Sequence, residues 1–246
     1  MNGVYPMTLV AALLLACSTS SETGQDGGPQ GEGGYHPSID PASFANAIDN
    51  PFLPMTPGSV MTYAETDESD TFDITVTVTS ETKLIMGVSC VVVHDVVTEA
   101  GAGGAGAVVE DTWDWYAQDT GGNVWYFGED TTAYDGSTPS HAGSWEAGVD
   151  GALPGIVMPA NPQPGAPYRQ EYYRGQAEDM GQVLALDQSV TVPAGSYTGC
   201  VKTKDWSALE PGIIENKWFC PGVGNVRALV VEGGTDEEVL AAATIP

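Results

Sequence analysis

The feature that most constrains the fold is an alternation of apolar and polar residues over positions 72–79. The apolar members are Phe72, Ile74, Val76 and Val78, and an Asp or Thr follows each of them. Successive side chains of a β-strand point to opposite faces, so this pattern predicts a strand with one buried and one solvated face.

Nine further segments are rich in β-branched and aromatic residues, and Gly and Pro clusters separate them. They cover residues 83–86, 90–99, 108–117, 123–129, 168–173, 182–192, 199–206, 213–220 and 225–232. Only 41–48 and 236–243 look helical, and the proline-rich stretch 151–167 is typical of an irregular covering loop or a domain seam. We therefore predict an all-β fold: a curved antiparallel sheet, half-barrel or barrel of about ten strands, with one or two short helices.

The N-terminus carries a short apolar run, residues 9–16, that ends at Cys17. The run is too short to span a bilayer and fits a secretory signal peptide over residues 1–16. The sequence LLAC at positions 14–17 resembles the bacterial lipobox, in which a signal peptidase cuts before a Cys that carries diacylglycerol. One feature departs from that motif, because no Lys or Arg precedes Cys17. We predict that lipid on Cys17 anchors the protein to a membrane.

The segment after Cys17 predicts a tether. Residues 18–34 contain no aliphatic or aromatic side chain, so residues 17–35 are interpreted as the lipidated Cys and a flexible Gly-rich spacer. Residues 36–246 would then form a single β domain. Ser18 stands where lipoproteins retained at the inner membrane commonly have Asp, which favours the outer membrane, with the domain facing the periplasm or the surface.

The charge of the chain excludes one class of partner. There are 33 acidic residues against 7 basic ones, a formal net charge of −26. Nucleic-acid binding needs clustered Lys and Arg, so no nucleic-acid partner is expected. Adsorption to anionic lipid is disfavoured for the same reason. An acidic solvated surface is the simplest interpretation, and cation binding or a salty habitat are the alternatives.

A predicted hairpin places two carboxylates opposite each other. With Gly121 and Gly122 as a two-residue turn, pairing along the strands brings Asp114 opposite Glu129. Period two adds Glu110 to the same face. Like charges directly opposite on a sheet destabilise it, so the pair requires a compensating interaction.

Two interactions would compensate this repulsion, and a third interpretation needs no compensation. A Ca²⁺ ion bound by Asp114 and Glu129 would neutralise the pair, and it is the candidate metal and cofactor. A shared proton would raise one pKa and prepare a general acid beside a base. In the third reading this face meets water and the repulsion is screened.

Other candidate ligands lie nearby in the sequence. His94, within an apolar run, is a metal ligand, one base of an acid–base site, or an ordinary sheet residue. The aromatic residues of the hairpin are either a stacking platform for a flat ligand or core packing. The platform candidates are Trp113, Trp115, Trp125 and Tyr126.

A second hairpin predicts a disulfide. If the strands 199–206 and 213–220 turn around Glu210, Cys200 lies opposite Cys220 within disulfide reach. Export makes oxidation expected. Cys90 then remains as a thiol inside an apolar run.

Two segments resemble a signature shared by many uncharacterised bacterial envelope lipoproteins. Residues 190–197 read VTVPAGSY and residues 218–226 read WFCPGVGNV. The resemblance implies the lipoprotein-carrier-like fold, a curved antiparallel sheet that forms an unclosed barrel around a helix. Pro193, Gly195, Gly222 and Gly224 are turn chemistry, so they predict fold better than function. Acyl transport is not implied, because the β segments here carry many carboxylates.

The functional prediction is therefore a membrane-anchored lipoprotein whose β domain binds a small molecule or a cation. The alternatives are a carboxylate-based, cation-assisted hydrolase of the cell envelope and a purely structural surface protein. The GxSxG, HExxH, CxxC and P-loop motifs are absent from the sequence, and no catalytic residue is assigned.

Overall fold

A computed structural model describes residues 34–67, 70–101, 106–134 and 138–246, and within these ranges fourteen β-strands form one antiparallel sheet. The strands are β1 (Val60–Asp67), β2 (Asp70–Ile85), β3 (Val88–Glu99), β4 (Val108–Gln118), β5 (Val124–Ala133), β6 (Trp145–Glu146), β7 (Leu153–Met158), β8 (Tyr168–Arg169), β9 (Glu171–Tyr172), β10 (Asp179–Val192), β11 (Gly195–Ser207), β12 (Ile214–Cys220), β13 (Gly224–Glu232) and β14 (Glu237–Thr244). The predicted signal peptide, Cys17 and nearly all of the predicted tether lie outside the described residues.

The sheet curves into a nearly closed barrel. Its strand order is β8-β10-β11-β12-β13-β14-β1-β2-β3-β4-β5-β7-β9, and β6 pairs with β5. The path begins at β8 and ends at β9, and Gln170 alone separates these two strands along the chain. The backbone N–H of Gln170 donates to the carbonyl of Asp179 at 2.9 Å, which attaches this joint to the start of β10. The predicted all-β, barrel-like class is confirmed.

The β2–β3 hairpin shows how local sequence sets this architecture. Its two turn residues, Met86 and Gly87, have φ angles of 50° and 83°. Positive φ at both central positions matches the right-handed twist of paired strands. In β2, Ile74, Val76 and Val78 are buried, as the alternation predicted.

The structure corrects two helical predictions. Residues 236–243 are not helical, because Glu237–Thr244 forms β14 and pairs with both β1 and β13. The Ala-rich sequence has helix propensity, but this preference is weak. Strand pairing with β1 on one side and β13 on the other outweighs it. The predicted helix at 41–48 is reduced to one turn of 3-10 helix, Pro41–Ser43, which Asp40 caps.

The strand count is also higher than predicted. The segments 72–79 and 83–86 belong to one 16-residue strand, β2, while β1, β6, β7 and β14 were not predicted. The stretch 151–167 was predicted as irregular, but β7 lies within it and pairs with β5 and β9.

Within the described ranges, no helix is long and apolar enough to cross a membrane.

The disulfide between Cys200 and Cys220 is present, as predicted. The pairing of Val201 with Phe219 gives the register that puts the two cysteines opposite each other. Cys90 is a buried free thiol, and burial raises its pKa to about 12.

Candidate functional site: an acidic cavity inside the barrel

The barrel encloses a cavity of about 170 Å³. One part of its lining is apolar and includes Met55, Met61, Val76, Val78, Val93 and Phe219. Another part is acidic and includes Asp95, Asp114, Glu171, Asp179, Asp205, Glu210 and Glu215. The cavity therefore offers both an apolar surface and negative charge to a single occupant.

Burial of acids extends beyond the cavity wall. Nine acidic residues of the described ranges are buried, whereas no Lys or Arg in those ranges is buried to the same degree. The nine are Glu65, Asp95, Glu110, Asp114, Glu129, Glu171, Asp205, Asp236 and Glu238. Isolated buried carboxylates are strongly unfavourable when ionised, so this interior requires protons or positive charge from elsewhere.

Asp114 of β4 lies directly opposite Glu129 of β5, as predicted. The two-residue turn from which this pairing was predicted is wrong. Tyr116 pairs with Tyr126, not with Phe127, because the turn holds an odd number of residues. A β-bulge then adds one residue to β5 and restores the predicted pairing.

Gly128 makes the bulge possible. It has a φ of 124°, and a Cβ on it would collide with the carbonyl oxygen of Trp145. A glycine is therefore required at this position.

Tyr126 joins the two acids. Its hydroxyl lies 2.6 Å from Oδ1 of Asp114 and 3.1 Å from Oε2 of Glu129. One hydroxyl proton can be donated to only one carboxylate at a time. The second contact becomes a hydrogen bond when the other carboxyl is protonated and donates to the tyrosine oxygen. The arrangement is therefore suited to holding a proton between Asp114 and Glu129.

The pKa values agree with such a protonated state. Burial raises the pKa of Asp114 to about 7, against a lowering effect of the Tyr126 hydrogen bond. Burial and the neighbouring Asp114 and Glu171 hold the pKa of Glu129 well above its ordinary value. Asp114 is 2% exposed and Glu129 1% exposed, so desolvation is the main cause for both.

Asp95 completes this group, although it was not among the ligands predicted from the sequence. It lines the cavity from β3, and its Oδ1 has no hydrogen-bond partner among the described residues. Burial, then Asp114 and Glu110, raise its pKa well above the ordinary value. We name Asp95, Asp114, Tyr126 and Glu129 the Tyr126 cluster.

A second group lies across the cavity and contains a base. Nζ of Lys217 lies 3.0 Å from Oε2 of Glu215 and 3.3 Å from Oδ2 of Asp205. Gln170 also donates to Oδ2 of Asp205, at 3.2 Å. Burial lowers the pKa of Lys217, but Glu215 and Asp205 outweigh that effect and raise it above its ordinary value. We name Asp205, Glu215 and Lys217 the Lys217 cluster.

Of the other predicted ligands, Glu110 is buried on the same face of β4 as Asp114. It accepts a hydrogen bond from Thr112 at 2.9 Å, and burial raises its pKa to about 8. It is not among the residues that line the cavity.

His94 fits the alternative of an ordinary sheet residue and lies away from Asp114. It precedes Asp95 in β3, so its side chain points to the other face of the sheet, where it stacks on Trp113 at 3.9 Å. Its Nε2 lies 3.1 Å from Oδ1 of Asp111. It cannot share a site with Asp114 and Glu129, because the sheet lies between them.

The aromatic residues do not form one platform. Trp113, Trp115 and Trp125 lie on one face of the hairpin and Tyr126 on the other, because strand periodicity separates them. Lys83 lies 3.2 Å over the Trp115 ring, and Trp125 donates to Asp119 at 2.8 Å. Only Tyr126 of the four contributes to the cavity wall.

Two signals in the sequence pointed to the residues that were missed. Asp95 falls between Val93 and Val97 on an apolar face, where an acid is conspicuous. The register that places Cys200 opposite Cys220 also places Asp205 opposite Glu215.

Comparisons with known proteins give little beyond this geometry. No family model matches the sequence, and no curated protein gives a significant match. The chain is similar in shape to the crystal structure of a candidate lipoprotein from Parabacteroides distasonis ATCC 8503, with a TM-score of 0.44 and 15% sequence identity. The alignment covers 81% of this chain and 100% of that one. So low a score is a loose likeness, and the fold and the site stand on this chain's own residues.

Proposed function

We propose that this protein is a membrane-anchored lipoprotein of the cell envelope whose barrel binds a small, positively charged ligand in its interior. The observation that carries the binding role is the burial of Asp95 and Asp114 in the cavity wall, where Oδ1 of Asp95 has no hydrogen-bond partner among the described residues. The anchor on Cys17 and the outer-membrane location rest on the sequence alone.

The energetics of burial support a ligand. An ionised carboxylate in a protein interior costs several kcal/mol unless it is paired, and apolar replacements of buried charges are often neutral or stabilising. Apolar residues in place of Asp95 and Asp114 would therefore make a purely structural barrel at least as stable. A binding site explains their retention, because a cation that enters the cavity provides the missing partner.

Because the buried carboxyls gain protons near neutral pH, protons can replace a cation that leaves the site. With pKa values raised to about 7 for Asp114 and about 8 for Glu110, these carboxyls hold protons when the cavity lacks a cation. An entering cation displaces protons from them, since opposite charge lowers the pKa of a carboxyl.

The hydrolase remains the second hypothesis. Asp114 lines the cavity, and a pKa of about 7 suits a general acid or base. Turnover separates the two functions: a hydrolase consumes the compound that it binds, whereas a binding protein returns it unchanged.

Calorimetric titration of the full-length protein in detergent at pH 8 tests the binding role. The probes are Ca²⁺, Mg²⁺, putrescine and benzylammonium. We expect at least one probe to bind, and Asp95→Asn/Asp114→Asn to weaken it by about tenfold or more, since a buried charge partner is lost. The matched control is Asp130→Asn, an exposed acid next to Glu129 in β5.

Two results would overturn the proposal. One is the failure of all four cations to bind wild-type protein. The other is binding that the double variant retains at full affinity, which would place the cation outside the cavity.

The anchor is tested separately. Mass spectrometry of protein purified from its native host should show a diacylglyceryl adduct on Cys17, and Cys17→Ser should move the protein from the membrane fraction to the soluble fraction. An unmodified Cys17 at an intact N-terminus contradicts the lipid assignment without touching the binding role.

A further inference from the structure

The two acidic clusters of the cavity differ in what they lack. The Lys217 cluster already contains a cation, held at 3.0 and 3.3 Å from its two acids. The Tyr126 cluster contains three acids, and its hydrogen bonds come from a neutral hydroxyl. Of the two clusters, the Tyr126 cluster is therefore the one without a basic side chain, and Asp95 and Asp114 are its two acids in the cavity wall.

We propose that the ligand is a small organic ammonium ion, whose charged nitrogen binds between Asp95 and Asp114 and whose apolar body lies against Val76 and Val93. This inference rests on the proposed function and names the chemical class of its ligand.

The position of the ammonium group follows from the sheet register. Asp95 pairs with Thr112, and Val93 pairs with Asp114, so Asp95 and Asp114 are diagonal neighbours on the same face of adjacent strands. Diagonal neighbours are separated by about 7–8 Å along the sheet. Both side chains line the cavity, and Oδ1 of Asp95 has no hydrogen-bond partner in the described part of the chain. An ammonium group, with three donors, can supply that bond and still donate to Asp114.

The apolar body follows from what stands beside the two acids. Val76 lies directly opposite Asp95 on β2, and Val93 lies directly opposite Asp114 on β3. Both valines line the cavity, together with Val78, Met61 and Phe219. A bare metal ion with its water shell would leave this wall wet, whereas a hydrocarbon body attached to the cation buries it.

The size and the aromatic lining agree with one small organic cation. An apolar cavity of about 150 Å³ accepts benzene, so about 170 Å³ accepts a body of that size. Tyr63, Tyr116 and Tyr126 also line the space, and the faces of such rings attract cations.

The test compares probes that differ only in charge or only in the apolar body. Full-length protein in detergent is titrated at pH 8 with benzylammonium, its neutral analogue benzyl alcohol, methylammonium and Ca²⁺. We expect benzylammonium to bind at least about tenfold more tightly than each of two other probes. Benzyl alcohol lacks its charge, and methylammonium lacks its apolar body. Val93→Asn should weaken benzylammonium without weakening methylammonium, while Asp95→Asn should weaken both.

The results separate this inference from the proposed function. If Ca²⁺ or methylammonium binds as tightly as benzylammonium and depends on Asp114, the cavity is a cation site and the organic class is wrong. If benzyl alcohol binds as tightly as benzylammonium, the charge is irrelevant and both proposals fail. If Val93→Asn fails to fold, Val93→Thr, which keeps the volume and adds one hydroxyl, repeats the comparison.

Discussion

The Tyr126 cluster and the Lys217 cluster solve the same physical problem in two ways. Both bury carboxylates in the wall of one cavity. The Lys217 cluster has a counter-charge of its own, because Nζ of Lys217 lies 3.0 Å from Glu215 and 3.3 Å from Asp205. The Tyr126 cluster has only a tyrosine hydroxyl between Asp114 and Glu129, so its charge is set by pH or by a ligand. One cluster therefore has a built-in counter-charge, whereas the charge of the other depends on pH or on a ligand.

The largest expected effect is the pH dependence of the ligand-free protein. The folded pKa of Asp114, about 7, lies above its ordinary 3.8, and that of Glu110, about 8, above 4.5. The folded state therefore binds more protons than the unfolded state. The stability that these two carboxyls contribute is complete below about pH 4 and is lost as pH rises to about 8. Asp114 alone accounts for about 4 kcal/mol, at about 1.4 kcal/mol per pKa unit.

Denaturant unfolding at pH 5 to 8.5 measures this prediction. Asp114→Asn should flatten the curve, because the variant side chain does not titrate, while Asp130→Asn should keep it. A free energy of unfolding that is constant or rises over this range would show that the Tyr126 cluster is compensated after all.

The second prediction concerns the Lys217 cluster. Lys217→Met leaves Asp205 and Glu215 without their cation, so we expect a loss of about 3–5 kcal/mol at pH 7. Asp114→Asn, by contrast, should leave the ligand-free protein unchanged or stabilise it at pH 8. The matched control is Lys204→Met, since Lys204 lies over the Trp206 ring at 4.7 Å and should cost less than about 1 kcal/mol. Equal losses for both lysine variants would contradict the assigned role of Lys217.

The smallest effect sharpens the role of the tyrosine. Tyr126→Phe removes the hydroxyl between the two acids and should cost about 1–3 kcal/mol, the penalty of unsatisfied buried acceptors. The same change should raise the pKa of Asp114 further, because the Tyr126 hydrogen bond lowers it. The pH curve would then extend to higher pH. Tyr116→Phe, which keeps the ring stacked on Tyr126 at 4.8 Å, is the comparison; a curve displaced as far in this variant would argue against the bridge.

The sequence predicted the hairpin pair but not why it forms. A two-residue turn at Gly121 and Gly122 predicted Asp114 opposite Glu129, and the structure has this pair. The odd turn and the bulge at Gly128 compensate each other, and neither leaves a periodic signal in the sequence. The bulge depends on the position of Trp145, which lies in β6, outside the hairpin.

The meeting of the two clusters could not be predicted from sequence. The register of β11 and β12 was predicted correctly, and it placed Asp205 opposite Glu215. That these acids face Asp114 across one cavity depends on closure of the barrel, which strand alternation does not encode. β14 shows the same limit, since its Ala-rich residues become a strand only because β1 and β13 flank them.

The pairing of β1 with β14 has a consequence for the order of events in the cell. Val60 pairs with Thr244, so the barrel cannot close while the C-terminal part of the chain is still being synthesised. Contacts between residues so far apart in sequence form slowly, because a long loop must close before they contribute. Until β14 has emerged, the edges of β1 and β13 that it covers stay unpaired, and unpaired strand edges are open to pairing with other chains.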